Sequence, residues 1–453
     1  MKIIEKKYKA RKEIYYICKV PFLTIKDNGS AFKLYFLGLP FLIFSKKILR
    51  NISNKKFFKN YTQHIFNKNY KKSPDFVDIT DKPYKSSPDD VKPIAFYLPQ
   101  FYTFPLNDKN FGKGFTEWTN VTKAIPHFIG HHQPQLPIDV GFYNLAHDDV
   151  MYRQIELAKM YGIYGFCFHY YWFSGTRMME KPIFNWLNNK ELDFPFCLHW
   201  ANENWSKLWD GGNKELIFEQ KLLNGDDEKF FYDILPFFKD ERYIKIGNKP
   251  LFIVYRPQLF TKERFQKFMT IMENLSIENG FDGIFFCCTN CAGFNEREEW
   301  GFDTLIEFPP HELKKLKNKQ MISNCNNNYT CLIFDIREYI QNKKYFDEKQ
   351  NNNQIKGIFP SWDNTARKAY SKGAVYYGET PELYKQWLLD ILNWTKQNRS
   401  QDTQFVFINA WNEWAEGAHL EPDNHYGYAY LQATKEAMEE CNANNIHLSR
   451  QQL

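Results

Sequence analysis

The sequence predicts a (β/α)8 barrel preceded by a basic N-terminal arm, and three observations favour this fold class. Eight short, almost continuously apolar runs recur after residue 92, as expected for parallel strands buried on both faces. Stretches with helical periodicity separate the runs over about 350 residues, which is within the usual size of such barrels. Polar and aromatic residues follow the runs, at the strand ends where barrels carry their functional sites.

The predicted strands are Ile94–Leu98, Gly165–Tyr171, Phe194–Trp200, Leu251–Tyr255, Gly283–Cys287, Thr304–Phe308, Gly357–Pro360 and Phe405–Ala410. A doubly wound open sheet would also alternate strands with helices. We prefer the barrel because no glycine-rich phosphate loop follows the first strand.

Three amphipathic helices are predicted between these strands. The first begins at a cap formed by Asp148 and ends at Gly162. The second runs from about Lys262 to Asn279 and stops at Gly280. The third begins at Pro381.

The chain is predicted to have three parts, which are an arm (1–72), a linker (73–92) and the barrel (93–445). Residues 1–90 carry 20 lysines and arginines against 8 acidic residues, whereas the net charge of the whole chain is only +6. The linker is rich in proline, serine, aspartate and lysine. Such an uneven charge is typical of a basic arm on a mildly acidic body.

Within the arm, the apolar run Leu34–Phe44 is flanked by Lys33, Lys46 and Lys47. We expect residues 1–70 to contact an anionic membrane surface, and a small hydrophobic hairpin is the alternative. The run is about half the length needed to cross a bilayer. The chain shows no secretory signal, and its nine cysteines have no regular spacing. These features favour a cytoplasmic protein, peripheral at the inner membrane, and no motif favours nucleic acid.

The residues that follow the strands are those of a sugar site, namely aromatic platforms, hydroxyl partners and carboxylates. The candidate substrate-binding residues are Tyr97, Gln100, Glu117, Trp118, His169, Tyr170, Trp172, Trp200, Asn202, Glu203, Trp205, Arg256, Trp362, Asp363, Asn412 and Trp414. For Glu117 and Glu203, a buried salt bridge to an arginine such as Arg256 is the alternative.

The candidate catalytic residues are Glu413 and Glu416, in the segment Trp411–Gly417 after the last predicted strand. If this segment enters a helical turn, residues three apart project from the same face. Two neighbouring carboxylates repel, so one of them keeps its proton and can act as an acid. Pairs of carboxyl groups cleave glycosidic bonds in many enzymes. The short distance expected between the carboxyl groups of Glu413 and Glu416 fits a retaining reaction.

No metal or cofactor is predicted. His127, His131 and His132 lie in one segment, but nothing fixes further ligands beside them. Cys288 and Cys291 have the Cys-x-x-Cys spacing, yet no second pair with zinc-site spacing occurs.

Five segments together resemble the WbsX-type glycosyltransferase family. They are Ala95–Phe101, Gly114–Trp118, Phe168–Trp172, Trp200–Trp205 and Trp411–Gly417, and the resemblance extends from about Ile94 to Tyr430. This family is similar to the endo-α-mannosidases and endo-mannanases of glycoside hydrolase family 99. The resemblance implies a (β/α)8 barrel and a role in bacterial surface polysaccharide or lipopolysaccharide (O-antigen) gene clusters.

The resemblance also implies roles for the two acids. Glu413 matches the residue that assists the sugar 2-hydroxyl in the hydrolases, and Glu416 matches their general acid/base. The chain departs from the hydrolases at Ala415, where they generally carry histidine.

The sequence therefore predicts an enzyme that makes or cleaves glycosidic bonds in a glycan or lipid-linked glycan. A transferase using a nucleotide-sugar or lipid-linked donor and an endo-acting α-glycoside hydrolase both stay open. A non-catalytic glycan-binding barrel is the third reading. No Asp-x-Asp triplet of a metal-dependent nucleotide-sugar transferase occurs.

Overall fold

A computed structural model describes residues 72–451, except 129, 208–214, 312, 314–328, 347–353 and 369–372. Of the preceding residues it describes 4–9, 12–17, 20–27, 31–37, 39–45, 55–56 and 59–60. The chain forms two compact units. One comprises residues 1–71, 126–132 and 321–329, and the other comprises the remaining residues.

Eight parallel strands close into a barrel in the larger unit, which confirms the predicted fold class. Numbered β1 to β8, they are Lys92–Tyr97, Gly165–Phe173, Phe196–Trp200, Lys249–Val254, Phe285–Thr289, Thr304–Ile306, Gln354–Ile358 and Phe405–Ile408. Each strand pairs with the next, and β8 pairs with β1, so the sheet closes on itself. All eight predicted apolar runs overlap these strands.

The described helices of this unit are α1 Pro105–Phe111, α2 Glu117–Lys123, α3 Asp149–Met160, α4 Lys181–Asn188, α5 Asp226–Phe238, α6 Lys262–Glu278, α7 Arg297–Trp300, α8 Arg337–Gln341, α9 Thr365–Lys368, α10 Pro381–Asn398 and α11 Ala429–Gln451. The three predicted helices correspond to α3, α6 and α10. Asp148 is the N-cap residue of α3, as predicted, but its carboxylate accepts a hydrogen bond from Asn189 Nδ2 (2.6 Å) and caps no backbone amide.

Short strands beyond the barrel position the segments that form the candidate site. Leu332–Asp335, Ala374–Tyr377 and Trp362–Asp363 form a three-stranded sheet. Asn412–Glu413 pairs with Ala418–His419 in a tight antiparallel hairpin. The turn between these two strands is a single 3-10 turn, Trp414–Glu416.

The smaller unit contains an antiparallel sheet of five strands, Ile4–Lys9, Lys12–Ile17, Val20–Asp27, Ala31–Phe36 and Leu39–Ser45. The apolar run Leu34–Phe44 therefore forms a hairpin, with Phe36 and Leu37 50% and 61% exposed near its tip. No helix among the described residues is long and apolar enough to cross a membrane. The division into arm, linker and barrel stays a prediction.

Candidate active site

A cavity of about 500 Å³ lies at the carboxyl end of the barrel strands. Every barrel strand contributes to its wall, either directly or through the loop that follows it. The lining residues used below are Gln100, His169, Tyr171, His199, Glu203, Tyr255, Arg256, Phe308, Trp362, Arg367, Lys368, Glu413 and Glu416. Both predicted catalytic glutamates therefore face the same space.

Arg367 binds three carboxylates at once and holds the two candidate acids side by side. Its Nη2 lies 2.5 Å from Glu413 Oε1, and its Nη1 lies 2.9 Å from Glu416 Oε1. Its Nε lies 2.7 Å from Oε1 of Glu117, which is buried behind the cavity wall. We call these four residues the acid cluster.

The local fold brings the acid cluster together from three parts of the chain. Glu117 is the first residue of α2, and Arg367 lies on α9. Glu413 immediately precedes the 3-10 turn, and Glu416 is its last residue. The Asp363 carboxylate accepts hydrogen bonds from the Thr365 amide (3.0 Å) and hydroxyl (2.6 Å), which fixes the start of α9. Separate backbone segments therefore position the carboxylates and the guanidinium that binds them.

Gly417 ends the turn and allows it to approach α9 closely. Its φ of +60° lies in the left-handed region, which favours glycine. An added Cβ would meet the backbone nitrogen of Asp363 at 3.0 Å. The sequence therefore needs glycine here for both conformation and space.

Burial determines the protonation of the acid cluster. Burial raises the pKa of Glu413 to about 8, against the lowering effect of Arg367, and the neighbouring Glu416 and Glu117 carboxylates raise it further. Three carboxylates share one guanidinium, so full ionisation would leave two uncompensated negative charges in a buried site. The acid cluster therefore retains a proton at neutral pH.

Glu421 supports the turn from behind, and sequence reasoning missed it. Its Oε2 accepts hydrogen bonds from Trp414 Nε1 (2.7 Å) and the Tyr143 hydroxyl (2.9 Å). Its Oε1 accepts from Gln154 Nε2 (2.6 Å) and Trp411 Nε1 (3.1 Å). Four donors therefore hold one carboxylate, and through it both tryptophans that bracket Glu413.

The protonation of Glu421 is governed by two opposed effects. Burial raises its pKa to about 7, and the four donors lower it. All four partners donate, and the Tyr143 hydroxyl already accepts from Asn412 Nδ2 (3.2 Å), so no acceptor is left for a carboxylic proton. The geometry therefore favours the ionised form. The only sequence signal was an acid placed between Leu420 and Pro422.

Five of the sixteen predicted substrate-binding residues line the cavity, and they are Gln100, His169, Glu203, Arg256 and Trp362. Arg256 Nη1 forms an ion pair with Glu203, which is the salt bridge weighed for Glu203. Asn202 is buried beneath them and bonds the backbone nitrogen and oxygen of Arg256, both at 2.8 Å. Asn202 thus fixes Arg256 rather than lining the cavity.

The remaining ten predicted residues are buried outside the cavity wall, and they are Tyr97, Glu117, Trp118, Tyr170, Trp172, Trp200, Trp205, Asp363, Asn412 and Trp414. Strand alternation explains several of them. In β2, His169 and Tyr171 point into the barrel, so Tyr170 and Trp172 point outward. Tyr171, which was not predicted, lines the cavity and accepts a hydrogen bond from Gln100 Nε2 (3.3 Å).

Two histidines form a second polar feature of the cavity. His169 on β2 and His199 on β3 are register partners, and their Nδ1 atoms lie 2.9 Å apart. Burial lowers the pKa of His169 to about 3, and the positive charge of Arg367 lowers it further. Burial also lowers the pKa of His199. Both rings are therefore neutral at physiological pH.

The fold and the site together define a class, that of (β/α)8 barrels with paired carboxylates in a cavity at the carboxyl end of the strands. Residues 93–434 match the family described as Glycosyltransferase WbsX. The chain belongs to this family, as its motifs predicted.

Two similar proteins come from strains B100 and ATCC 33913 of Xanthomonas campestris pv. campestris, and both are described as the uncharacterised protein WxcX. They are 38% and 37% identical to the chain over 345 residues. These residues make up 76% of the chain and 49% of each relative. The chain thus spans about half the length of the curated relatives it matches.

Solved structures support the fold. A GH99 endo-alpha-mannosidase from Bacteroides thetaiotaomicron superimposes with a TM-score of 0.52 at 14% identity, covering 78% of the chain and 98% of that protein. The same kind of enzyme in complex with bis-tris-propane gives a TM-score of 0.50 at 13% identity, covering 79% and 99%. At this identity the likeness establishes the barrel fold alone.

Proposed function

We propose that the chain makes or cleaves an α-glycosidic bond with Glu413 and Glu416, and that it retains the anomeric configuration. The observation that carries this proposal is the shared contact of both carboxylates with Arg367 in one cavity. One acid of the pair donates a proton to the leaving oxygen, and its ionised neighbour assists attack on the anomeric carbon. Following the family resemblance, Glu416 is the acid/base and Glu413 assists the 2-hydroxyl. Burial raises the pKa of Glu413 in the free chain, so these roles require the proton of the acid cluster to move to Glu416 when substrate binds.

The charges of the cavity favour an uncharged glycan over a nucleoside diphosphate sugar. Arg256 is paired with Glu203, and Arg367 is paired with three glutamates. Among the described residues of the cavity wall, Lys368 alone is a cation without an ion pair. A diphosphate would therefore meet repulsion from the glutamates with little compensating charge.

Transfer to a sugar hydroxyl is the preferred outcome, because the chain belongs to a glycosyltransferase family. Hydrolysis is the second candidate, favoured by the acid pair and by the endo-alpha-mannosidase name of the structural neighbours. A glycan or lipid-linked glycan of a bacterial surface polysaccharide, such as an O-antigen, is the proposed substrate. The WxcX relatives come from a bacterium, which is consistent with this source.

Product analysis tests these alternatives. The purified full chain is offered α-linked manno-oligosaccharides, host-strain glycans and nucleotide sugars, beside Glu413→Gln and Glu416→Gln. We expect new glycosidic products or new reducing ends of retained configuration without nucleotide release, and a loss of about 100-fold or more in either variant. Nucleotide release that persists in both variants would contradict the proposed chemistry.

We also propose that residues 1–70 contact an anionic membrane at the cytoplasmic face. Support comes from the net positive charge of this region and from the exposed Phe36 and Leu37. Replacing both with serine in the full chain should reduce sedimentation with phosphatidylglycerol vesicles. The control is Phe142→Ser in the larger unit, where the side chain is 55% exposed. Equal sedimentation of the double variant and the control would contradict membrane contact.

A further inference from the structure

The paired histidines combine close contact with an unused polar atom. His199 is 1% exposed and lines the cavity. Its Nδ1 is bonded to His169, but its Nε2 is buried and makes no hydrogen bond to any described protein group. A buried polar atom without a partner is costly, so it indicates a position at which a ligand supplies the missing bond.

The bond between the two rings restricts their tautomers. Two neutral imidazoles can bond through Nδ1 only if one carries the Nδ1 proton and the other does not. One ring then has a bare Nε2, and the other has a protonated Nε2. Whichever way the pair is arranged, it holds one further donor and one further acceptor.

We propose that His169 and His199 form a subsite that binds a hydroxyl group of the sugar in the cavity, with His199 Nε2 as the contacting atom. A hydroxyl both donates and accepts, so it satisfies Nε2 in either tautomer. This subsite rests on the proposed function, because it assigns the same cavity to an uncharged sugar. It adds His199, a residue outside the acid cluster, to substrate recognition.

The surroundings keep the pair neutral and fixed in place. Phe96 lies under both rings, with ring centroids 5.7 Å from His169 and 5.2 Å from His199. Phe308 packs against His199 at 5.6 Å, and Tyr255 packs against its edge at 5.5 Å. Arg367 is close enough to disfavour a second positive charge. The hydroxyl subsite therefore stays uncharged over the pH range in which the acid cluster titrates.

Histidine NMR tests the subsite directly. The full chain is labelled with 15N-histidine and titrated with methyl α-D-mannopyranoside, methyl α-D-glucopyranoside and their single-deoxy analogues. We expect the Nε2 signal of His199 to shift with at least one parent sugar. We also expect one deoxy analogue to bind about tenfold more weakly, as the loss of one hydrogen bond implies.

Variants separate recognition from folding. His199→Asn keeps an amide at the Nδ1 position but has no atom at Nε2, so it should bind parent and deoxy sugars equally. His199→Gln reaches the Nε2 position and should restore part of the discrimination. The exposed His147→Asn is the matched control and should discriminate like the unaltered chain.

The outcomes distinguish the subsite from the proposed function. Tenfold discrimination that survives in His199→Asn overturns the subsite. A chain that turns over glycans while its His199 signal stays fixed also overturns the subsite, and leaves the proposed function standing. A chain that neither binds these sugars nor acts on any glycan overturns both.

Discussion

The acid cluster and the histidine pair line the same cavity, yet burial acts on them in opposite directions. It raises the pKa of Glu413 to about 8 and lowers the pKa of His169 to about 3. The glutamates differ from the histidines in having a counter-charge, because Arg367 stabilises carboxylates and disfavours imidazolium. The comparison shows how one buried cation can stabilise charged carboxylates and keep imidazoles neutral within the same cavity.

Replacing Arg367 with methionine should have the largest effect, because it removes the buried positive charge that distinguishes the acid cluster from the histidine pair. Three buried carboxylates would lose their counter-charge, so we expect the free energy of unfolding to fall by about 3–5 kcal/mol and turnover to be lost. Denaturant unfolding measures the first effect. The control is Lys262→Met, which breaks the exposed pair with Glu299 and should cost less than about 1 kcal/mol. Equal losses in the two variants would contradict the role of Arg367.

Glu421→Gln should have the next largest effect. Of the two groups compared, it should disturb the acid cluster and not the histidine pair. The new amide group would direct donors at groups that already donate to Glu421, so we expect a loss of about 1–3 kcal/mol. The turn that carries Glu413 and Glu416 should shift, and kcat should fall more than KM rises. Glu436→Gln, on the partly exposed surface of α11, is the control. A variant as stable and active as this control would show that Glu421 positions nothing.

Gly417→Ala should have the smallest effect and measures how tightly the turn packs on α9. The left-handed conformation alone costs roughly 1–2 kcal/mol for a residue with Cβ. Gly175→Ala isolates that part, since Gly175 also has positive φ but no atom lies within 4 Å of an added Cβ. We expect a larger loss at Gly417, measured as the difference in unfolding free energy. Equal losses would mean that the contact with Asp363 is unimportant.

The fold was accessible from the sequence because it depends on regular patterns. Parallel strands buried on both faces give continuous apolar runs, and all eight were found this way. Asp148 begins α3 as predicted, but it makes no capping hydrogen bond, because a partner 41 residues away, Asn189, binds its carboxylate. A contact so distant in sequence leaves no local signal.

The candidate site was only partly accessible. The acids follow a strand end and were found, and five further residues that line the cavity were named. Tyr170 and Trp172 were preferred to Tyr171 because composition does not reveal which alternate residues of a strand point inward. Arg367 and Glu421 escaped notice because their roles arise from contacts with several distant segments.

The proton held by the acid cluster can be measured without knowing the substrate. Infrared difference spectra between about pH 6 and pH 10 detect loss of carboxylic-acid signal, and Glu379 contributes to it as well because burial raises its pKa to about 8. Subtracting the difference spectrum of the Glu413→Gln, Glu416→Gln double variant from that of the unaltered chain isolates the signal of these two acids. We expect one proton to leave them near pH 8. Two glutamates that are both fully ionised at pH 6 would contradict the proposed division between a charged and a protonated acid.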